Sequence, residues 1–289
     1  MSNTFVQPLT IKHDKVDQAV LIVIRKIDEV ARKCETRYFL AGATAREILL
    51  KHVFGLAPGR RTLDVDFGIA VQDWGQFQKL KSALIEQAAF QPHPKQKQRI
   101  IHTSPAVTVD LIPFGGVERP DETISWPPEE EIVMRVTGFK DALEAAVPVQ
   151  LEAEFVIPVV SLPLLLILKL IAWVDRKHEK RDAADIYILL RQYGDAGNED
   201  RLYGEHVRIL ESEGFNFESA GAYLLGLDAA TAVPAKTRQA VREILRSDQQ
   251  MTQLTNQMIA SGPGFDAVST RNCELLVSKL RQGFLNIEK

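Results

Sequence analysis

Two aspartates set one residue apart, in Arg61-Thr62-Leu63-Asp64-Val65-Asp66-Phe67, are the residues of this chain whose types and spacing point most directly to chemistry. Strand side chains alternate between faces, so Asp64 and Asp66 project together while Leu63, Val65 and Phe67 turn toward a core. Two anions fixed side by side repel, and a cation between them removes the penalty. A divalent metal, Mg²⁺ or Mn²⁺, is the expected occupant. A third carboxylate is expected from Ala106 to Pro113, where Val107, Val109 and Leu111 take one strand face and Thr108 and Asp110 the other. Asp110 is the predicted third metal ligand.

Upstream, Tyr38-Phe39-Leu40-Ala41 is an apolar strand that breaks at Gly42 into Ala43-Thr44-Ala45-Arg46, a small-residue turn opening a helix. Backbone N–H groups at such a turn can hold phosphate; Gly42 lets the backbone approach, and Thr44 and Arg46 add donors. A phosphate cradle beside Asp-x-Asp predicts metal-dependent nucleotidyl transfer, in which a hydroxyl attacks the α-phosphate of an NTP and pyrophosphate leaves. Two ions about 3.5–4 Å apart stabilise charge on the attacking and departing oxygens, which requires bridging carboxylates. Asp64 and Asp66 are assigned the bridge. Asp110 is assigned the ion that activates the attacking hydroxyl, and that hydroxyl's proton.

Lys169 lies in Leu164-Leu165-Leu166-Ile167-Leu168-Lys169-Leu170-Ile171, where an ammonium is costly to bury unless an anion meets it. A triphosphate is such an anion. Asp182 and Asp185 sit three apart at the start of the following helix, on a similar face, so that one could position Lys169 or contact the base or ribose. Each residue also has a plainer role. The Asp pair could be a polar strand edge, Gly42 a tight turn, Lys169 a side chain snorkelling from a helix edge, Asp182 an N-cap and Asp185 a first-turn acid.

The elements that must position these residues follow from periodicity. Val16 to Cys34 carries apolar residues at helical spacing; strand 38–41 and a helix with Ala45, Ile48, Leu49 and Val53 come next. A Gly/Pro loop precedes the Asp-x-Asp strand, Thr62 to Val71, and Trp74 to Phe90 is predicted helical. Short strands over 99–103 and 106–113 follow. Residues 115–131, with Pro120, Pro127, Pro128 and the acids Glu129 to Glu131, mark a candidate domain edge, and 132–160 reads as strands around a short helix. Ser161 is a good N-cap for a helix reaching about Arg176, a second helix spans about 181–193, and the rest reads as a helical bundle broken at Gly214, Pro234 and Gly262-Pro263-Gly264.

Composition excludes several classes. The chain has 289 residues, 45% hydrophobic and 25% charged, enough for a proper core in one large or two modest domains. The formal charge of −3 conceals basic clusters at Arg60-Arg61, Lys95 to Arg99 and Arg176 to Arg181, so it neither demands nor excludes nucleic acid. Cys34 and Cys273 lack partners at metal-ligand spacing, which argues against zinc and a disulfide framework and fits a reducing cytoplasm. The first residues lack a secretory pattern. The apolar stretch Val156 to Val174 holds Pro158, Ser161, Pro163 and Lys169 and is expected to be strand, turn and buried helix rather than a membrane span.

The ordered set of Gly turn, Thr-x-Asp-x-Asp, separate Asp, helical Lys and Arg-Asp-x-x-Asp resembles the AbiEii-type toxin nucleotidyltransferases of the DNA polymerase β-like superfamily, over roughly residues 38 to 193. The resemblance implies an α+β fold, a mixed β-sheet flanked by helices followed by a C-terminal helical bundle. Residues 1–160 would be the catalytic domain and 161–289 a helical domain closing the nucleotide cleft. It implies nucleotide contacts from Gly42, Ala43, Thr44, Arg46, Thr62, Lys169 and Asp185, metal held by Asp64, Asp66 and Asp110, and catalytic roles for these three with Lys169 and Asp182. It further implies an NTP substrate, an RNA acceptor, in some members the 3′ end of tRNA, and a cognate antitoxin. The sequence departs from the family's first motif in that Ala41-Gly42-Ala43-Thr44 replaces one glycine and the first hydroxyl. A small-molecule or CCA-adding-like nucleotidyltransferase, and a protein that binds nucleotide or a partner without turnover, are the alternatives.

Overall fold

The computed structural model describes residues 7–59, 64–87, 89–128, 130–131, 133–176, 179–261 and 267–288. The chain divides into two compact units, Met1–Gly55 with Arg60–Ser161, and Leu56–Gly59 with Leu162–Lys289. The acid-rich stretch after Gly115 lies inside the first unit, not at its edge. Around it the short strands Thr123–Ser125 and Val133–Arg135 pair with each other and so tie the loop back on itself.

The first unit runs β1 (Leu9–Thr10), α1 (Gln18–Lys33), β2 (Tyr38–Ala41), α2 (Gly42–Glu47), β3 (Val65–Val71), α3 (Trp74–Gln87), β4 (Phe90–Pro92), β5 (Arg99–Thr103), β6 (Ala106–Gly115), β7 (Thr123–Ser125), β8 (Val133–Arg135), α4 (Phe139–Glu144), β9 (Val147–Glu152) and β10 (Phe155–Val159). One eight-stranded sheet has the order β1-β9-β10-β2-β3-β6-β5-β4. It is mixed: β10–β2 and β3–β6 are parallel, while β2–β3 and β5–β6 are antiparallel. The alternation predicted for the Asp-x-Asp strand holds where the chain is described, since Val65, Phe67 and Ile69 are fully buried and Asp66 is half-buried. Leu63 and Thr62 lie outside the described residues.

Helix α1 begins where Asp17 caps it, its side chain accepting from the Ala19 N–H, and buries Val20, Ile24, Ile27, Val30 and Ala31 at the predicted spacing. Helix α3 ends earlier than its periodicity suggests. Phe90 leaves it to pair with His102 in the sheet and is buried there against that imidazole, so tertiary pairing overrides the helical pattern. Helix α2 continues as π-helical turns over Ile48–Val53, closed by a Phe54 N–H bond to the Leu49 carbonyl of 3.0 Å.

The second unit is helical: α5 (Leu162–Asp175), α6 (Arg181–Gln192), α7 (Glu199–Tyr203), α8 (Val207–Ser212), α9 (Phe217–Thr231), α10 (Ala235–Arg246), α11 (Asp248–Ser261) and α12 (Ala267–Leu285). Gly214 takes φ +59 between α8 and α9, and Pro234 caps α10, the breaks expected from sequence. The break at 262–264 lies outside the described residues. Among the described residues no helix is long and apolar enough to cross a membrane.

Candidate active site

Strand register brings the first set of residues together. Ala41 of β2 pairs with Asp66 of β3, Asp66 pairs with Asp110 of β6, and Asp110 pairs with Arg99 of β5. Directly paired residues on neighbouring strands project to the same face, so Asp66, Asp110 and Arg99 form one row across three strands. Asp64 immediately precedes β3, and its carbonyl accepts from the Thr44 hydroxyl at 2.9 Å, which ties the first turn of α2 to the start of the Asp-x-Asp strand.

Gly42 follows Ala41 with φ +67, a left-handed conformation that glycine tolerates and side chains resist. A Cβ at this position would lie 1.9 Å from Asp66 Oδ2. The absence of a side chain therefore makes room for the Asp66 carboxylate itself, a tighter requirement than the phosphate approach inferred from sequence. Ala43, Thr44 and Arg46 are buried, Arg46 to 1% exposure. The Thr44 hydroxyl that sequence assigned to phosphate is engaged with the Asp64 backbone. Thr62 lies outside the described residues.

Asp110 is held by a cation, and that cation is an arginine. Arg99 Nε donates to Asp110 Oδ1 at 2.8 Å and Arg99 Nη2 to Oδ2 at 2.7 Å, a fork that engages both carboxylate oxygens. The guanidinium pKa is raised, first by this hydrogen bond and, against desolvation, by the charges of Asp110, Asp64 and Asp66 in turn. Arg99 thus lies within the field of all three carboxylates. Among the described residues no three His, Cys, Asp or Glu side chains are grouped as around a bound metal ion, although Asp66 and Asp110 are register partners. Asp64 and Asp66 have the donor chemistry for a divalent ion. Asp110 has the same donor chemistry, with both of its oxygens engaged by Arg99.

Arg99 was a residue that sequence reasoning placed only in a generic basic cluster. A finer signal was present. The turn at Ser104-Pro105 pairs Thr103 with Ala106, and counting outward along the two strands sets Arg99 opposite Asp110.

In the second unit Lys169, expected from sequence to meet a triphosphate with one of two acids positioning it, contacts both Asp182 and Asp185. Lys169 Nζ lies 3.0 Å from Asp182 Oδ1 and 2.6 Å from Asp185 Oδ2. Asp182 Oδ2 also accepts from Arg176 Nη2 at 2.9 Å. The Asp side chains are 3% and 2% exposed and that of Lys169 14%, so this is a buried, charge-assisted cluster. Lys180, not Asp182, occupies the N-cap position of α6. Arg176 and Arg181 of the basic run are engaged within the chain, Arg181 with Glu179.

A mixed sheet carrying an Asp-x-Asp strand beside a glycine turn, with helices after it, is a nucleotidyltransferase-type architecture. The chain belongs to the family described as nucleotidyl transferase AbiEii toxin, type IV toxin–antitoxin system, whose model matches residues 29–270. Among solved structures it is similar to an antigenic nucleotidyltransferase-like protein from Paracoccidioides brasiliensis, with 16% identity, 68% of this chain and 92% of that chain covered, and a TM-score of 0.40. The antibiotic-resistance factor ANT(2'')-Ia matches at 10% identity over 68% of this chain and 96% of that chain, TM-score 0.36. A Thermotoga maritima CCA-adding enzyme solved with tRNA matches at 9% identity over 96% and 84%, TM-score 0.25. These likenesses are distant, and membership rests on the family match. No curated protein matches the chain at a significant level.

Proposed function

We propose that this protein is a metal-dependent nucleotidyltransferase that transfers NMP from an NTP to an acceptor, the 3′ end of tRNA, as the toxin of a toxin–antitoxin or phage-defence pair. The observation that carries the reading is the placement of Asp66 against Gly42, with Asp64 tied to the same turn through Thr44. Asp64 and Asp66 are the residues proposed to hold Mg²⁺ or Mn²⁺, which when bound supplies charge stabilisation for the oxygens of the transferred phosphate. The backbone of the turn at Gly42 and Ala43 is proposed to meet the phosphates. Lys169, braced by Asp182 and Asp185, is assigned to the nucleotide on its residue type and on the family motif.

Incubation with labelled NTPs, Mg²⁺ and total tRNA tests the reading. Label should appear on tRNA with the wild-type protein and fall by at least ~100-fold with Asp64→Ala, because a site of this kind draws several kcal/mol from its metal-bound carboxylates. Equal labelling by the two proteins would remove the catalytic assignment. Label on a small molecule but not on RNA would move the acceptor class.

A second reading draws on the Arg99–Asp110 ion pair: a protein that binds nucleotide or a partner and transfers nothing, with an arginine standing permanently where a metal ligand set would be completed. Calorimetry showing nucleotide binding with no labelled product under any metal would favour it.

A further inference from the structure

The Arg99–Asp110 pair stands apart from the other ion pairs of the first unit in three respects. It occupies both oxygens of the carboxylate paired in register with Asp66. Its guanidinium is within the field of Asp64 and Asp66 as well. It is less exposed than most of those pairs, yet with side chains 24% and 14% exposed it is still reached by solvent.

From this geometry we infer that Arg99 is the resident counter-ion of Asp110, and that a divalent cation engages Asp110 only by displacing the Arg99 fork. Arg99 then acts as a built-in competitor that sets the metal concentration at which the site fills. The inference rests on the metal-binding reading of Asp64 and Asp66 and adds a residue to it.

The physical grounds are as follows. Carboxylates in one neighbourhood repel one another, and a cation beside them relieves part of that repulsion. A guanidinium on an adjacent strand supplies that cation within the chain itself, in a bidentate geometry that a lysine cannot reproduce. The same placement sets guanidinium and metal against each other, since two cations cannot share one carboxylate at close range without repulsion. The backbone under Arg99 is pinned, its N–H donating to the Gln96 carbonyl at 3.1 Å and its carbonyl accepting from the His93 N–H at 3.0 Å. Displacement is therefore a side-chain rotation and not a refolding of β5.

The test uses the full chain and Mn²⁺ alone, with free Mn²⁺ followed by its electron paramagnetic resonance signal at low ionic strength. Arg99→Gln is expected to bind Mn²⁺ about 10-fold tighter than wild type, and Arg99→Lys, which keeps the charge but loses the fork, about 3-fold tighter. Asp64→Asn in the Arg99→Gln background should abolish the gain. In the wild type, Mg²⁺ should shift the Arg99 Nε–H resonance and speed its exchange with solvent, a reading that needs no variant to fold. Wild-type binding through Asp64 and Asp66, with Arg99→Gln no tighter and the Arg99 resonance unmoved, overturns the competitor role and leaves the metal reading standing. Absence of Mn²⁺ binding by wild type and by both Arg99 variants overturns the two together.

Discussion

Two ion-pair clusters, one in each unit, both set aspartate against a basic side chain and differ in how they meet water. Arg99–Asp110 joins two strands by register and keeps side chains 24% and 14% exposed. Lys169–Asp182–Asp185 joins two consecutive helices, with both carboxylates exposed by 3% or less. A partly exposed pair is a weak contributor to stability and free to exchange its partner. A buried one is weak evidence for stability as a whole, yet removing a single member strands a charge and is strongly destabilising. The first cluster is thus suited to giving way to an incoming cation, and the second to holding one ammonium in a fixed place.

The largest expected effect tests the buried member of this contrast. Lys169→Met leaves Asp182 and Asp185 as neighbouring buried carboxylates, and urea denaturation followed by the fluorescence of Trp173, on the same helix, should register a loss of about 3–5 kcal/mol. A loss below ~1 kcal/mol would show the cluster to be hydrated and erase the distinction. Next comes the glycine bend. Gly42→Ala places a methyl group within 1.9 Å of the Asp66 carboxylate at a left-handed backbone, so a cost of about 1–3 kcal/mol in strain is expected, together with loss of metal binding. An unchanged Mn²⁺ affinity in that variant would separate Asp66 from the site.

Smaller still is the effect of opening the exposed pair. Arg99→Gln should change stability by no more than ~1 kcal/mol, less than the Lys169 variant by a clear margin. Raising the ionic strength to about 1 M shortens the screening distance to about 3 Å, and should shrink that difference further while leaving the cost of Lys169→Met nearly unchanged. If the Arg99 variant proves the costlier of the two, the assignment of one cluster as exchangeable and the other as fixed is reversed.

Much of this was legible in the order of residues. The strand at 38–41, the bend at Gly42, the helices at 162–175 and 181–192, and the meeting of Lys169 with Asp182 and Asp185 depend on contacts or periods only a few residues long, or on two adjacent helices. The misplaced features share a cause. Phe90 had helical spacing from α3 but a strand partner in His102, and the acidic stretch near 129–131 had the composition of a linker but lies within the first unit. In both, antiparallel pairing with a neighbouring segment outweighed the preference read from composition or spacing.

By itself the sequence determined which residues could bear charge on one face of a strand, where the chain had to bend, and that an ammonium in an apolar helix needed an anion. Those are consequences of side-chain alternation, backbone freedom and desolvation, and they act over short separations. The tertiary structure alone decided that Asp66 lies against Gly42, that β3 and β6 run side by side with Asp66 opposite Asp110, and that Arg99 grips the latter. Parallel pairing between strands some forty residues apart is fixed by how the whole sheet packs, so the partner of a carboxylate there is a property of register and not of spacing.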